Sequence, residues 1–274
     1  MNLSVLMSLY HKEDAGFLSL AMESIYRQTV KPKEIVLVHD GLLNESLYRV
    51  LDNWRDKINI VDVNLETNQG LGKALNIGLQ HCSCDYVARF DTDDINHPTR
   101  FEKQLDFFKQ NPDVSLCGGH IAEFNFTPET VTGYRTVKIG SSSVMRINRQ
   151  NPFNHMTVMF KKQCVLDVGG YQHLHFMEDY YLWLRLHAAN KKLINIDEVL
   201  VYARVGNGML ERRRGAKYAT SEFQILSKIL KLGVCRKPST VAFFTVRAGL
   251  RLLPESALSL VYKKTRTNKE AVTA

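Results

Sequence analysis

Apolar positions along the first half of the chain form two kinds of run. Largely apolar blocks at residues 3–9, 34–38, 58–63 and 86–90 are short and rich in β-formers, which predicts buried strands. Between them, residues 17–28, 47–54, 73–80 and 98–107 follow helical spacing, with Leu18, Met22 and Ile25 sharing one face of the first. Strands that are apolar throughout and alternate with helices predict an α/β fold whose mostly parallel sheet is covered on both faces. Tyr10, Asp40 and Asp91 follow three of these strands. They belong on one rim, the side of an open α/β sheet where ligands bind.

Beyond residue 112 the pattern is less regular. Residues 114–118, 157–160 and 194–202 read as strands and 121–139 as an irregular β segment, with a loop at Ser141-Ser142-Ser143 and a turn at Gly169-Gly170-Tyr171. Met177-Glu178-Asp179 opens a helix over 180–190, an acidic start that suits the helix dipole. A flexible loop is expected from Arg204 to Met209. The rest reads as helices at 216–232 and 239–253, a break at Pro254, a short helix at 257–262 and a basic end, Lys263-Lys264-Thr265-Arg266. Arg247 and Arg251 stand one turn apart on the otherwise apolar 239–253 stretch. Two placements suit it equally: in a membrane interface with the arginines on anionic headgroups, or against the domain with the arginines in water.

Charge sharpens this division. The net charge is +8, yet from Val201 onward there are 15 Lys and Arg against 4 Asp and Glu, leaving 21 against 24 in residues 1–200. A slightly acidic body with no zinc finger and no aromatic-basic stacking pattern is not built for nucleic acid. The five cysteines suggest no disulfide framework, and Cys82-Ser-Cys84 lacks the second pair that a zinc site needs. The amino terminus has no basic lead, so it reads as a strand and not a signal peptide, and no apolar run reaches the roughly 20 residues of a bilayer span. A cytoplasmic protein is expected.

The candidate chemistry centres on Asp91-Thr92-Asp93-Asp94, which ends the strand at 86–90. Like charges crowded at a strand end call for a cation, and oxygen donors suit Mg²⁺ or Mn²⁺, ions that complete their shell with a substrate's phosphates. The plainer alternative is an acidic start for the helix that Pro98 introduces. A dinucleotide fold would need G-x-G-x-x-G after its first strand, and Gly72-Lys73-Ala74 lacks the spacing and hydroxyl of a P-loop.

A longer ordered series decides between them. Ser24-Ile25-x-x-Gln28-Thr29, Pro32, Glu34-Ile35-Val36, Asp40-Gly41, Asn68-x-Gly70-Leu71-Gly72-x-Ala74-Leu75-Asn76-x-Gly78 and Ala88-Arg89-x-Asp91-x-Asp93-Asp94 are followed by His155, Gly169-Gly170-Tyr171, Glu178-Asp179 and Tyr202-x-Arg204. Over residues 3–205 this series resembles a family 2 glycosyltransferase of the GT-A fold, especially the bacterial branch that builds capsule, exopolysaccharide or O-antigen. The resemblance implies a Rossmann-like sheet with a nucleotide-binding half at 1–120 and an acceptor half at 121–210, followed by a basic amphipathic helical tail at 211–274. It implies inverting, metal-dependent transfer of a sugar from a nucleoside-diphosphate sugar, with a lean to uridine, to a lipid-linked or oligosaccharide acceptor. The enzyme would sit on the inner face of the cytoplasmic membrane, its tail on the anionic surface.

Site roles follow the same resemblance. Asp93 with Asp91 would hold Mn²⁺ or Mg²⁺, with Asp94 nearby. Asp40 would bond the nucleotide base, with Tyr10 and Glu13 beside it, and Lys73, Arg89, Asp91, Asp94, His155 and Arg204 would complete the donor side. Asp179 would be the general base, with Glu178 capping, orienting or binding acceptor. His11 stands where the family usually has Asn, and Gly206 where it often has His. The alternatives are a sugar nucleotidyltransferase and a non-catalytic subunit of a polysaccharide-synthesis complex.

Overall fold

The computed structural model describes residues 1–205 and 215–253. The expected loop at 206–209, the boundary at 210, the break at Pro254, the helix at 257–262 and the basic end lie outside the described residues.

Each opening strand is followed by the helix that its spacing predicts. β1 (Leu3–Leu9) leads to α1 (Ala15–Tyr26), β2 (Glu34–His39) to α2 (Glu45–Arg55), and β3 (Ile60–Asn64) to α3 (Leu71–His81). Asp14 and Asn44 start the first two helices, their side-chain oxygens accepting the backbone N–H groups of Phe17 and Leu47. β4 (Tyr86–Arg89), the two-residue β5 (Ile95–Asn96) and α4 (Arg100–Gln110) follow. The second half holds β6 (Val114–Phe124), β7 (Val131–Arg135), β8 (Met159–Lys161), α5 (Lys162–Asp167), α6 (Glu178–Ala188) and β9 (Lys192–Arg204). α7 (Ala216–Lys231) and α8 (Pro238–Leu250) complete the described chain.

One nine-stranded sheet runs in the order β3-β2-β1-β4-β8-β6-β9-β5, with β7 on β6. The first four strands are parallel, whereas β8 runs antiparallel to both β4 and β6. β2 and β4 flank β1 on opposite sides, so the strand order reverses there. The carboxyl ends of β1 and β4 therefore open the crevice in which this sheet type binds ligands.

Alternation along the strands builds two cores. Leu3, Val5, Met7 and Leu9 of β1 join Ile35 and Leu37 of β2 under α1, α2 and α4. Leu6, Val36 and Val38 point the other way, toward α3, α6 and α7. α3 lies directly on this second face. A Cβ added at Gly78 would stand 2.5 Å from Val38 and 2.7 Å from Leu6, which accounts for a glycine in mid-helix.

The carboxyl-terminal helices depart from expectation. Tyr218, Ile225, Leu226 and Ile229 of α7 and Phe244 of α8 belong to the same core as α3 and α6. Neither proposed orientation of the arginines holds. Arg247 and Arg251 turn inward onto Glu222, whose Oε1 accepts their guanidinium N–H groups at 2.8–3.2 Å while the residue is 0% exposed. A buried carboxylate on α7 supplied the partner that the spacing of α8 alone did not reveal. No described helix is long and apolar enough to cross a membrane.

Candidate active site

β4 ends at the switch point, and the chain beyond it is held from three sides. The guanidinium of Arg100, fully buried, donates to the carbonyls of Arg89 (2.9 Å) and Val158 (3.3 Å) and to Asn96 Oδ1 (2.6 Å). It therefore ties the strand end to the start of β5. On the far side β5 pairs with β9, and the backbone N–H of Arg204 donates to Asp94 Oδ1 at 2.9 Å. Fixed in this way, Asp91, Asp93 and Asp94 each bring a carboxylate oxygen within 4.8 Å of the others.

Crowding of that kind has an electrostatic consequence. Burial, and then the charges of Asp93 and Asp91, push the Asp94 carboxyl well above the usual carboxylate range. Three acids this close cannot all ionise without added positive charge, and their hard oxygen donors match Mg²⁺ or Mn²⁺. The donor set thus fits the expected divalent ion.

Arg89 supplies the buried cation behind these acids. It is 2% exposed and pairs with Asp91. Its charge also acts on Asp94, Glu178 and Asp179, so acids far apart in sequence feel one guanidinium. Glu178 is pushed up to about 7 by burial and next by Asp179, with Asp91 adding to the effect. Burial raises Asp179 as well, offset by hydrogen bonds from Asn151 Nδ2 to Oδ2 and from the Tyr180 N–H to Oδ1, both 2.6 Å. A small residue brings the first turn of α3 to this point. A Cβ on Gly72 would lie 3.0 Å from Glu178 Cβ, so the starts of α3 and α6 touch there.

Several residues expected to contact the donor have partners within the protein. Asp40 is 3% exposed, and its two carboxylate oxygens accept the N–H groups of Gln69 (2.6 Å) and Gly70 (3.0 Å), anchoring the loop before α3. Arg89 is buried and paired with Asp91. His155 bonds the Tyr171 hydroxyl at 3.0 Å and packs edge-on against Trp183, and burial holds it neutral, far below the ordinary histidine range. Arg204 closes β9 rather than standing in a loop, its guanidinium 3.8 Å from the ring centre of Phe17 and 4.6 Å from that of Phe124. Tyr10 and Glu13 are half-buried just past β1, and Lys73 is exposed on the first turn of α3.

Two residues that matter here were not singled out from the sequence. Asn151 lies in a run read only as the lead into a strand, and Arg100 in a helix read only for its start; for Asn151 a polar residue before a predicted strand was the available signal. A cavity of about 360 Å³ opens elsewhere on the rim, lined by His39, Tyr48, Arg55, Asp62 and Glu66 among others, and none of the acids above borders it.

Comparison with known proteins agrees with this geometry. The family described as glycosyl transferase family 2 matches residues 4–171. The chain is a family 2 glycosyltransferase. It is 40% identical to the amylovoran biosynthesis glycosyltransferase AmsE of Erwinia amylovora over 264 residues, covering 96% of this chain and 98% of that one. It is also 40% identical to the UDP-Gal:α-D-GlcNAc-diphosphoundecaprenol β-1,3-galactosyltransferase of Escherichia coli over 261 residues, 95% of each chain. Among solved structures, this glycosyltransferase superposes on Staphylococcus aureus TarS 1–349 in complex with UDP-GlcNAc with a TM-score of 0.64 at 17% identity, over 91% of this chain and 73% of that one. The mannosyltransferase PcManGT of Pyrobaculum calidifontis in complex with GDP-Man and Mn²⁺ gives 0.60 at 16% identity, over 96% and 79%. Likeness at that identity bears on the fold alone, and the fold is GT-A.

Proposed function

We propose that this glycosyltransferase moves a sugar from a UDP-sugar to a hydroxyl of a saccharide carried on a lipid diphosphate, inverting the anomeric centre, in bacterial surface polysaccharide synthesis. The observations that carry the reaction class are the three clustered carboxylates at the end of β4 and the hydrogen-bonded carboxylate of Asp179 at the start of α6. End-to-end likeness to the Escherichia coli galactosyltransferase favours this donor and acceptor. Such an acceptor places the enzyme at the inner face of the cytoplasmic membrane.

Asp93, with Asp91 and Asp94, would hold Mg²⁺ or Mn²⁺, which when bound supplies positive charge against the leaving diphosphate. Asp179 accepts the proton of the incoming hydroxyl while that oxygen bonds to the anomeric carbon. The bond from carbon to diphosphate breaks, and UDP departs with the electron pair. Asn151 and the Tyr180 N–H aim the carboxylate, and burial raises its basicity. Glu178, poised at about 7, retains part of its proton at neutral pH and so limits the negative charge beside Asp179. The glycine contact between α3 and α6 fixes how closely that carboxyl approaches the loop before α3.

The test incubates the full chain with a panel of UDP-sugars, Mn²⁺ and a synthetic GlcNAc-diphospholipid. UDP release with a product of inverted configuration is expected, abolished by Asp93→Ala and Asp179→Asn. Pyrophosphate in place of UDP would identify a nucleotidyltransferase. Undiminished polymer production in cells carrying either variant would identify a non-catalytic subunit.

A further inference from the structure

The outward side of α8 inverts the usual pattern of a surface helix. Such a helix normally turns its apolar stripe inward and its charges to water. Here Thr240, Phe244, Ala248 and Arg251 are buried, and the only two charges of the helical stretch, Arg247 and Arg251, are drawn inward to Glu222. The positions opposite are uncharged throughout. Ala242, Val246, Gly249 and Leu253 form that side, with Val241 and Leu252 along its flank, all exposed, Val246 and Leu252 at 63% each. Water gives no reason to present such a face, and the fold dedicates a fully buried glutamate to keeping its arginines off it.

The surroundings indicate what covers it. No Asp or Glu occurs in the sequence between Glu222 and Glu255, whereas Lys228, Lys231, Arg236 and Lys237 lie in that interval beside the two inward arginines. Arg236 and Lys237 are exposed immediately before the helix. Arg149, also exposed, reaches Ser239 Oγ at 3.3 Å and lies 5.8 Å from the Phe243 ring centre. Among the described residues, the charged groups shown beside this face, Arg149, Arg236 and Lys237, are cations; an apolar face with such neighbours is complementary to anionic headgroups over acyl chains, and it would repel a second copy of itself.

We propose that this face of α8 docks in the interface of an anionic bilayer. The proposal rests on the lipid-linked acceptor of the preceding reading for its purpose, and on the inverted helix for its physical basis. Docking there sets the active site at the surface through a short strap. Asn148 Nδ2 donates to Thr240 Oγ1 at 3.2 Å, and Arg247 Nη1 donates to the Arg149 carbonyl at 2.7 Å. Two residues past Arg149, Asn151 holds Asp179. The helix on the lipid and the group that receives the acceptor's proton are thus joined by four consecutive residues.

Flotation of the full chain with phosphatidylcholine vesicles, with and without phosphatidylglycerol, tests this without substrate. The wild type is expected to float with anionic vesicles, and Val246→Glu/Leu252→Glu to partition about tenfold or more weakly, given two apolar insertions lost and two repulsive charges added. Arg236→Gln and Lys237→Gln should each weaken anionic binding about fivefold. UDP release with a water-soluble acceptor should be the same for all of these. Equal flotation of the double glutamate variant would overturn the proposal, since the remaining chain would then suffice. So would a dimer that the variant splits, with no vesicle binding by the wild type. Loss of docking with soluble turnover intact would leave the proposed reaction standing; failed turnover with docking intact would leave the docking standing.

Discussion

Replacing Asn151 by alanine separates a positioning role from a structural one. Its amide donates to Asp179 Oδ2 at 2.6 Å, while its own Oδ1 accepts the Phe153 N–H at 3.2 Å, so the side chain is held at both ends. Burial is the larger influence on Asp179 and raises its carboxyl; the Asn151 bond opposes that rise. A hydrogen bond to an ionised group is worth about 1.5–3 kcal/mol, and 1.36 kcal/mol corresponds to one pH unit. Water replaces part of the bond at a half-buried carboxylate, so the expected shift is about one unit. A general base works deprotonated, so activity rises with pH through its titration, and Asn151→Ala moves that acidic limb to higher pH. Asn151→Asp, which places a like charge beside the base, should move it the same way. Arg89, Arg135 and Glu178 also act on this site and are unchanged in both variants, so the shift reports the lost bond. The assay is kcat/KM for UDP release across the pH range. An unmoved limb with a lowered plateau would refute the positioning role, leaving Asn151 as scaffolding or Asp179 as a bystander.

Two further outcomes concern stability. Glu178 titrates near 7 in the folded chain against an ordinary 4.5, so the fold binds its proton more tightly and loses stability as pH rises from about 4.5 to 7. Glu178→Gln should therefore gain about 2 kcal/mol at pH 8 after allowance for partial exposure, and little near pH 4, by urea unfolding; equal curves at pH 8 would contradict it. Glu222→Ala strands two guanidiniums and should cost about 3 kcal/mol, whereas replacing Glu222, Arg247 and Arg251 together by Leu, Leu and Met should be near neutral; similar midpoints for both variants would show that the cluster does not act as a pair-dependent unit.

The parallel half of the fold was legible because its signals are local. Apolar blocks of strand length and helices of period 3.6 put β1 to β4 and α1 to α4 within a few residues of their observed bounds. The acidic loop was legible for the same reason, its three aspartates being contiguous with a strand end. Pairings between distant segments were not. β5 is two residues long and exists because β9 pairs with it, and β8 enters the sheet antiparallel between β4 and β6, which nothing in its own three residues specifies. The partners of the charged side chains were not legible for the same reason. Asp40, Arg89, Arg204 and Arg247 carry charges that suit a ligand or a headgroup, and each meets a partner within the fold: the Gln69 and Gly70 backbone, Asp91, two aromatic rings and Glu222. Sequence spacing names the charge; only the fold names what neutralises it.

That neutralisation is incomplete at the active site, and its incompleteness is informative. One buried guanidinium, Arg89, acts on acids from two elements, and the Asp94 and Glu178 carboxyls stand raised above their ordinary range while N–H groups are aimed at Asp94 and Asp179. A core optimised for stability would not gather these groups, since each carboxyl raised above its ordinary range costs folding free energy at neutral pH. The two acidic groups also have separate supports: Arg100 and Arg204 hold the loop after β4, while Asn151 and the Gly72 contact hold the start of α6. A substitution on one support should therefore leave the other group in place, so that damage on the donor side and damage at the base are separable in kinetics. An assembly held for structure alone would need neither the surplus of negative charge nor two independent supports for it; the proposed site, which would bind a diphosphate at one end and take a proton at the other, needs both.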